Sequence, residues 1–271
     1  MSDDFSGWIG RSEDKVDVME PARSNALTAA LGVETAFAKG DAIPLLHHWL
    51  HFWDVRPPAG LGADGHPAKG GFLPPVPLPR RMWAGGRLKF EQALHFGERV
   101  TRTSTIKSVQ AKSGKSGQLV FVTVEHALSG ESGLAITEEQ DLVYREAAAP
   151  GSIKGPAGEG PEPQCTWHRT IFPDEVLLFR YSALTMNGHR IHYDLPYAQG
   201  EEAYPALVVH GPLMATCLVA MAGRELGKPL STFEFRGMSP AFAGTALNVC
   251  GELAEGGISV WTEQGLSLIH I

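Results

Sequence analysis

The sequence predicts an α+β protein in which antiparallel sheets wrap around helices, and three patterns support this. Alternating apolar and β-branched runs, such as "QLVFVTVEHAL", are typical of strands with one buried face. The run "PLMATCLVAM" is apolar on every side, which indicates a buried helix. Elements of similar kind occur before and after a Gly, Pro and Ala-rich stretch at residues 147–163, so we expect this linker to join two related halves, 1–146 and 164–271.

In the first half, "PARSNALTAALGVE" (residues 21–34) is expected to form a helix that stops at Gly32. The prolines of "GFLPPVPLPRRMWAGG" (residues 71–86) remove backbone donors, so the whole segment is expected to be an irregular loop. Four β-rich runs follow, and "KSGKSG" is expected to be a hairpin turn between two of them.

In the second half, "DEVLLFRYSAL" predicts a helix, because acidic residues occupy its first turn directly after a proline. A second helix, "HGPLMATCLVAMAGRELGK", is expected to be central, and "STFEFRGM" and "TALNVCGEL" are expected to be half-buried strands. A curved antiparallel sheet wrapped around a central helix, occurring twice, is a double hotdog, although another α+β sandwich is compatible with the same pattern. After "ISVWTEQG" we expect a return strand, and we interpret the ending "LSLIHI" as truncated or altered.

Composition and charge exclude several classes of function. The net charge is -7 and the pI is about 5.9, and no basic stripe is present, which argues against nucleic-acid binding. Cys165, Cys217 and Cys250 have no paired spacing and are expected to be reduced thiols. The acidic N-terminus does not look like a signal peptide and no run reaches ~18 apolar residues, so a cytoplasmic location is expected.

The densest group of polar residues lies in "LTMNGHRIHYDLPYA", residues 184–198. One interpretation is a metal site formed by His189, His192 and Asp194, because H-x-x-H pairs can converge on one ion. No second cluster of His, Cys or Asp supports that interpretation, so neither a metal nor a redox cofactor is expected.

"FRYSALTMNGHRIHYDLPYA" followed by "VVHGPL" resembles the motif of the MaoC-like double-hotdog hydratases and dehydratases. It is most similar to their branch of mesaconyl-C4-CoA (3-methylfumaryl-CoA) hydratase, itaconyl-CoA hydratase and hydroxyacyl-thioester dehydratase type 2. "HHWLHF", "PLPRRMWAGG", "GERVTR" and "EEQDLVYRE" extend the resemblance to the first half. Of the common pattern Asp-x-Asn-Pro-(Ile/Leu/Val)-His, only Ile191 and His192 match letter for letter, and Asn187 replaces the usual Asp.

Hydration of an enoyl thioester needs a base, an acid and a donor for the enolate oxygen. His192 is expected to be the base. Asn187 cannot exchange a proton and is expected to orient water or substrate. His189 or Asp194 would share the proton transfer if His192 does not act alone. The donor is expected to be the Gly211 amide, because Pro212 has no N–H and a helix begins there.

The expected substrate-binding residues are Arg80, Arg81 and His210. The two arginines suit a substrate carboxylate or a CoA phosphate, and a solvated charge pair is the alternative. The histidines of "HHWLHF" are expected to belong to an aromatic wall. The first half is expected to shape the acyl pocket without performing chemistry.

The resemblance implies a hydro-lyase that adds or removes water across the 2,3 double bond of an enoyl-CoA, with mesaconyl-C4-CoA as the preferred substrate. CoA would be the substrate carrier and not a cofactor, and a homodimer is considered. The alternatives are a hydroxyacyl-thioester dehydratase of fatty acid synthesis, a hotdog thioesterase and a non-catalytic acyl-carrier-binding module.

Overall fold

A computed structural model describes residues 5–114, 117–149, 151–153, 155, 163–265 and 267–270. The described strands are β1 (Ser12–Val18), β2 (Arg80–Phe90), β3 (Arg99–Gly114), β4 (Gly117–Gly130), β5 (Gly133–Arg145), β6 (Trp167–Ile171), β7 (Thr232–Arg236), β8 (Leu247–Ala254), β9 (Gly257–Gln264) and β10 (Ser267–His270). The described α-helices are α1 (Pro21–Ala30), α2 (Glu175–Thr185), α3 (Leu195–Gly200) and α4 (Gly211–Leu226).

The strands form two antiparallel sheets. The larger sheet has the order β1-β3-β4-β5-β2-β7, and the smaller has the order β10-β9-β8-β6. β7 comes from the second half of the chain, yet it pairs with β2, where Gly86 lies opposite Phe235. The first sheet is therefore completed by a strand that follows the central helix in sequence.

The predicted loop at residues 71–86 is wrong in its last seven residues, because β2 begins at Arg80 directly after the final proline. The glycines that follow suit a strand here, since they allow a close approach of neighbouring strands. A Cβ atom on Gly85 would lie 2.5 Å from the carbonyl oxygen of Phe235, and one on Gly86 would lie 2.8 Å from that of Glu139. The two glycines therefore allow β2 to lie close to β7 on one side and to β5 on the other.

Helix α4 forms the centre of the core, as its apolar sequence predicts. Ala215, Leu218 and Ala222 of this helix pack against side chains of both sheets, including Leu128 and Val249. Leu218 is fully buried, so its replacement by Ala is expected to cost about 2–5 kcal/mol. The helix thus links the two halves through one continuous core.

Helix α1 confirms the first predicted helix, although it ends at Ala30. It is shorter than α4, and its Leu27 packs in a cluster with Leu178 and Leu213 of the second half. The core position beneath the first sheet is occupied instead by α4 together with Leu46 and Phe52, which belong to the segment around the 3-10 turn His47–Leu50. The two halves therefore differ: α4 of the second half packs against both sheets, whereas α1 of the first half packs against residues of the second half.

Three chain features bear on the remaining predictions. The hairpin expected at "KSGKSG" is confirmed by the pairing of Gly114 with Gly117, and residues 115–116 lie outside the described part. The return strand expected after Gln264 is present as β10, which pairs with β9. The linker predicted at 147–163 falls largely on residues outside the described part, namely 150, 154 and 156–162.

Cys165, Cys217 and Cys250 are free cysteines. No helix within the described residues is both long and apolar enough to cross a membrane.

Candidate active site

Helix α2 leads directly into the polar motif and positions it. Its N-cap Asp174 accepts a hydrogen bond of 2.7 Å from the Leu177 backbone N–H. The helix ends at Thr185, and its C-cap Met186 has a left-handed φ of 52°. The Asn187 Oδ1 atom then accepts a hydrogen bond of 3.0 Å from the His189 N–H. The Asn187 side chain therefore fixes the turn that carries the histidines, while its amide NH₂ group remains able to donate.

His192 presents one ring nitrogen as a base. Its Nδ1 atom lies 2.7 Å from the Val208 carbonyl oxygen, which can only accept, so Nδ1 carries the hydrogen. The Nε2 atom makes no hydrogen bond to any described residue, and it therefore has an open lone pair. Burial lowers the pKa of His192 to about 3, although the Val208 hydrogen bond acts in the opposite direction. The imidazole is thus neutral at pH 7.

His210 supports the His192 ring from behind. The two rings stack with centroids 3.6 Å apart, and His210 Nε2 lies 2.9 Å from the Ser182 Oγ atom of α2. His210 is only 1% exposed, so it is covered by protein and does not occupy the substrate-facing position expected for it. Its contacts fix the angle at which His192 is held.

Gly211 begins helix α4 next to this pair of rings. Its N–H makes no hydrogen bond within the described part of the chain, and a Cβ atom built on it would meet nothing within 4 Å. An open N–H at the positive end of a 16-residue helix can polarise a carbonyl oxygen. The predicted donor is therefore unobstructed.

Behind His189 lies a buried ion pair that the sequence did not predict. The Glu202 Oε1 atom is 3.0 Å from His189 Nε2, and its Oε2 atom accepts a hydrogen bond of 3.0 Å from Arg80 Nε. Burial alone would raise the pKa of Glu202, but the hydrogen bonds and charges of His189 and Arg80 outweigh this and lower it. Arg80 was expected to bind substrate, but it is 4% exposed and its Nε donates to Glu202.

A loop of the first half reaches the motif and adds two polar side chains. The Nδ1 atom of His66 lies 3.0 Å from the Asp64 Oδ2 atom, and the His66 backbone N–H donates to Oδ1 at 3.0 Å. The ring of His66 packs against that of His189, with centroids 4.2 Å apart. We name residues 61–70 the docking loop.

The docking loop is held closely against the motif. The Arg190 backbone N–H donates to the Asp64 carbonyl oxygen at 2.9 Å, and the Arg190 guanidinium donates to that of Ala63 at 3.1 Å. A Cβ atom on Gly65, whose φ is +86°, would lie 1.9 Å from the Gly188 carbonyl oxygen. Only glycine permits this approach.

Asp64, His66 and His189 each offer one atom of a metal-ligating type within 4.8 Å of the other two. This set differs from the His189, His192 and Asp194 set considered from the sequence. Since the Asp64 carboxylate accepts the hydrogen on His66 Nδ1, that nitrogen cannot also bind a metal. Hydrogen bonding accounts for how this carboxylate and ring are placed.

Asp194 has a structural position. Its Oδ1 atom caps helix α3 by accepting from the Tyr197 N–H at 3.1 Å, and its Oδ2 atom accepts from Arg190 at 2.7 and 2.9 Å. Both carboxylate oxygens are therefore occupied by contacts that hold the motif, and proton transfer by Asp194 finds no support.

Arg81 is placed differently from Arg80. It lies opposite Tyr144 across strands β2 and β5, and no carboxylate of the described residues lies within 4 Å of its guanidinium. Its charge contributes to lowering the pKa of both Asp64 and His66. Arg81 thus stays a candidate for an anionic part of the substrate.

The sequence motif predicted His192, His189, Asn187 and Gly211 as site residues, and it gave no indication that Asp64, His66 and Glu202 lie beside the motif. Glu202 follows the motif closely in "AQGEEAYP", and the Asp-Gly-His triplet in "GLGADGHPAKGG" is a chemically distinctive signal within a Gly-rich loop. The contact between that loop and the motif depends on the tertiary fold and has no local signal.

Comparison with known proteins shows the family of the chain. The sequence model of the family hydroxyacyl-thioester dehydratase type 2 matches residues 46–243. The mesaconyl-C(4)-CoA hydratase of Chloroflexus aurantiacus is 46% identical over 242 residues, which cover 89% of this chain and 86% of that protein.

Solved structures support the fold. A MaoC-like dehydratase aligns with a TM-score of 0.72 at 14% identity, covering 98% of this chain and 97% of its own. A Mycobacterium tuberculosis protein described as a double hotdog aligns with a TM-score of 0.61 at 13% identity, covering 97% and 94%. The double-hotdog prediction is confirmed, and the chain belongs to the hydroxyacyl-thioester dehydratase type 2 family of hydratases and dehydratases.

Proposed function

We propose that this protein is a hydro-lyase that adds or removes water across the 2,3 double bond of an enoyl-CoA, with mesaconyl-C4-CoA as its substrate. The observation that carries the proposal is the arrangement of His192 and Gly211. A neutral imidazole with an open Nε2 atom stands beside a helix N-terminus whose first N–H is free. The substrate follows from the 46% identity with the Chloroflexus hydratase.

The arrangement supplies two of the three requirements of the reaction directly. His192 Nε2 takes a proton from water as the water oxygen bonds to the β-carbon. The π electrons move towards the thioester oxygen, and the Gly211 N–H stabilises the resulting enolate. We expect the NH₂ group of Asn187 to orient the water or the substrate. CoA takes part only as the carrier of the acyl group.

Arg81 is proposed to bind an anionic part of the substrate, either the free carboxylate of the acyl group or a CoA phosphate. It is a guanidinium without a carboxylate partner among the described residues, and Arg binds carboxylates and phosphates through its planar fork.

The test is an assay of the purified protein with mesaconyl-C4-CoA and with a straight-chain enoyl-CoA. Loss of the conjugated enoyl absorbance without release of free thiol is expected. Release of thiol without hydration would instead identify a thioesterase, and neither signal with any acyl chain would favour a binding module. Faster turnover of straight-chain acyl groups on an acyl-carrier protein would favour the dehydratase of fatty acid synthesis.

A cytoplasmic location and a homodimer belong to the same proposal. Three free cysteines support a reducing compartment. Light scattering on the purified protein measures its mass directly, and a monomer mass would remove the homodimer from the proposal.

A further inference from the structure

The buried pair of Glu202 and Arg80 lies directly behind the motif, yet the hydration described above gives it no role. Arg80 is 4% exposed and Glu202 is 6% exposed. A buried ion pair stabilises a fold little more than apolar residues of the same volume would. Stability alone therefore does not explain why these two charges lie beside His189.

We propose that His189 is a second catalytic residue, whose Nδ1 atom accepts one hydrogen of the attacking water while His192 takes the other as a proton. Glu202 is the positioning residue that keeps Nδ1 free for this purpose. The inference rests on the proposed function and deepens it. In this role His189 binds the water and takes no proton, in contrast to the shared proton transfer expected from the sequence.

Glu202 fixes the tautomer of His189. Burial acts to raise the pKa of Glu202, but the hydrogen bonds and charges of His189 and Arg80 lower it, so the group is a carboxylate at pH 7. A carboxylate only accepts, so His189 Nε2 donates to it across 3.0 Å, and Nδ1 of the neutral ring is an acceptor. Arg80 donates to the other carboxylate oxygen at 3.0 Å and balances its charge, so the ion pair adds no net charge that would favour a second proton on the ring.

The Nδ1 atom of His189 is open. It makes no hydrogen bond to any described residue, since the bonds of His189 use its backbone N–H and its Nε2 atom. Among the described residues, His51 Nε2 and His210 Nδ1 also lack a partner, but those two nitrogens are fully covered by protein. Neither His189 Nδ1 nor His192 Nε2 is covered in that way, so a water molecule can reach both.

The rings of His189 and His192 are separated by a distance that suits one water molecule. Their centroids are 5.6 Å apart and their planes meet at 89°. Because each hydrogen bond of a water spans about 3 Å, one molecule can donate to a nitrogen of each ring. The His66 ring packs against His189 with centroids 4.2 Å apart, which restricts rotation of the His189 ring.

The addition then uses the atoms of one water molecule. One O–H bond breaks as His192 Nε2 takes the proton and the oxygen bonds to the β-carbon. The second O–H bond stays intact, donates to His189 Nδ1 and becomes the hydroxyl group of the product. The His192 imidazolium then gives its proton to the α-carbon of the enolate, the carbonyl is restored, and His192 is neutral again. Base and acid are therefore the same ring, and His189 keeps the water oriented.

The experiment compares His189→Asn with His189→Gln, because each amide replaces a different nitrogen of the ring. Asn can place its oxygen near the position of Nδ1, whereas Gln reaches the position of Nε2, keeps a contact with Glu202 and has no acceptor at Nδ1. We expect kcat of His189→Gln to fall by about 10–10²-fold while KM changes by less than about threefold, since the water loses one of its two acceptors. His189→Asn should retain a clearly larger share of kcat.

Circular dichroism verifies that both variants are folded at the assay temperature. A His189→Gln variant with the kcat of wild type would overturn the proposal, and so would a kcat of His189→Asn equal to or below that of His189→Gln.

Glu202→Gln tests the positioning role through the tautomer. Arg80 can only donate, so the Gln oxygen is expected to turn to Arg80 and its NH₂ group to His189 Nε2, which places the ring hydrogen on Nδ1 instead. Nitrogen NMR of the His189 ring should therefore show the hydrogen on Nε2 in wild type and on Nδ1 in this variant, with a fall in kcat. Glu201→Gln, which changes an exposed carboxylate, should keep the wild-type tautomer and kcat.

The tautomer of wild type decides the proposal even where Glu202→Gln does not fold. A hydrogen on Nδ1 of His189 in wild type would refute the role of Glu202. If wild type instead shows the expected tautomer but hydrates no enoyl-CoA, the proposed function itself fails.

Discussion

At the scale of single residues, the site is a row of four histidine rings whose chemistry is set by four different partners. Each ring is hydrogen-bonded to one partner: His66 to Asp64, His189 to Glu202, His192 to the Val208 carbonyl, and His210 to Ser182. A carboxylate favours a protonated ring, whereas a carbonyl oxygen in a buried site fixes the tautomer without adding charge. The same side chain can therefore serve different purposes within one cluster.

Replacement of His192 by Ala tests the assignment of the base. We expect kcat/KM for hydration to fall by about 10²–10⁴-fold, because the variant loses the open Nε2 lone pair that acts as the base in the proposed reaction. The measurement is the loss of enoyl absorbance, with circular dichroism to verify folding. A folded His192→Ala variant that retains most of its activity would show that the base lies elsewhere.

The buried pair of Arg80 and Glu202 predicts a large effect on stability. Glu202→Gln removes one charge and leaves a guanidinium that is 4% exposed without its partner, which is expected to cost about 3–5 kcal/mol. The neighbouring Glu201→Gln changes an exposed carboxylate and is the matched control.

Urea unfolding measures the effect of both variants. Joint replacement, Arg80→Met with Glu202→Leu, should recover most of the lost stability because no buried charge then remains unpaired. Equal midpoints for Glu202→Gln and Glu201→Gln would contradict the importance of the pair.

At the scale of elements, the docking loop is the part that sequence patterns could not place. Helices α2 and α4 follow from apolar spacing and end signals that lie within a few residues of each other. The loop has no periodicity, and its position depends on a contact between Gly65 and Gly188, which are far apart in the chain. The first seven residues of β2 were missed for a related reason, because the prolines before Arg80 mask a strand that is recognised only by its two neighbours, whereas its last four residues, "RLKF", were predicted as a strand.

Gly65→Ala tests the docking loop as a unit. The added methyl group would collide with the Gly188 carbonyl oxygen at a backbone angle that disfavours L-residues, so the loop is expected to move away from the motif. We expect a fall of at least about tenfold in kcat/KM, since a misplacement of about 1 Å can cost about 10²-fold.

Gly71→Ala is the matched control for this substitution, because a Cβ atom there meets nothing within 4 Å and its backbone is not left-handed. Steady-state kinetics of the two variants, with melting temperatures alongside, give the comparison. Equal kinetics would show that the close approach has no part in function.

At the scale of the whole molecule, buried histidines predict how stability depends on pH. Burial lowers the pKa of His47, His51, His66 and His126 from 6.5 to about 4, and that of His192 to about 3. Between pH 6.5 and 4 the unfolded chain therefore binds more protons than the folded one. Stability should be full above pH 6.5 and fall as the pH is lowered through this window.

Each of these histidines is expected to cost roughly 1–2 kcal/mol at pH 5. Urea unfolding at pH 7 and pH 5 measures the sum, and His126→Gln should reduce the difference whereas the exposed His168→Gln should not. Identical midpoints at the two pH values would show that these rings are not neutral in the fold.

The pattern of elements predicted two sheets, each wrapped around its own central helix, but it could not predict how closely the halves combine. Periodicity reports which face of a strand is buried, and it does not report which strand lies next to it. Several neighbours of β7 and of α4 would be compatible with the same periodicity. The pairing of β7 with β2 and the packing of α4 against both sheets therefore cannot be derived from it.

The place of β7 at the edge of the first sheet has a consequence for synthesis of the chain. When residues 1–146 have left the ribosome, five strands of that sheet are available, but its sixth strand and the helix that fills its core have yet to be translated. Until these are translated, the nascent first half exposes an apolar face and an unpaired β2 edge. Chaperones recognise surfaces of this kind. Cleavage at the linker should therefore yield fragments that associate, rather than two domains that each fold alone.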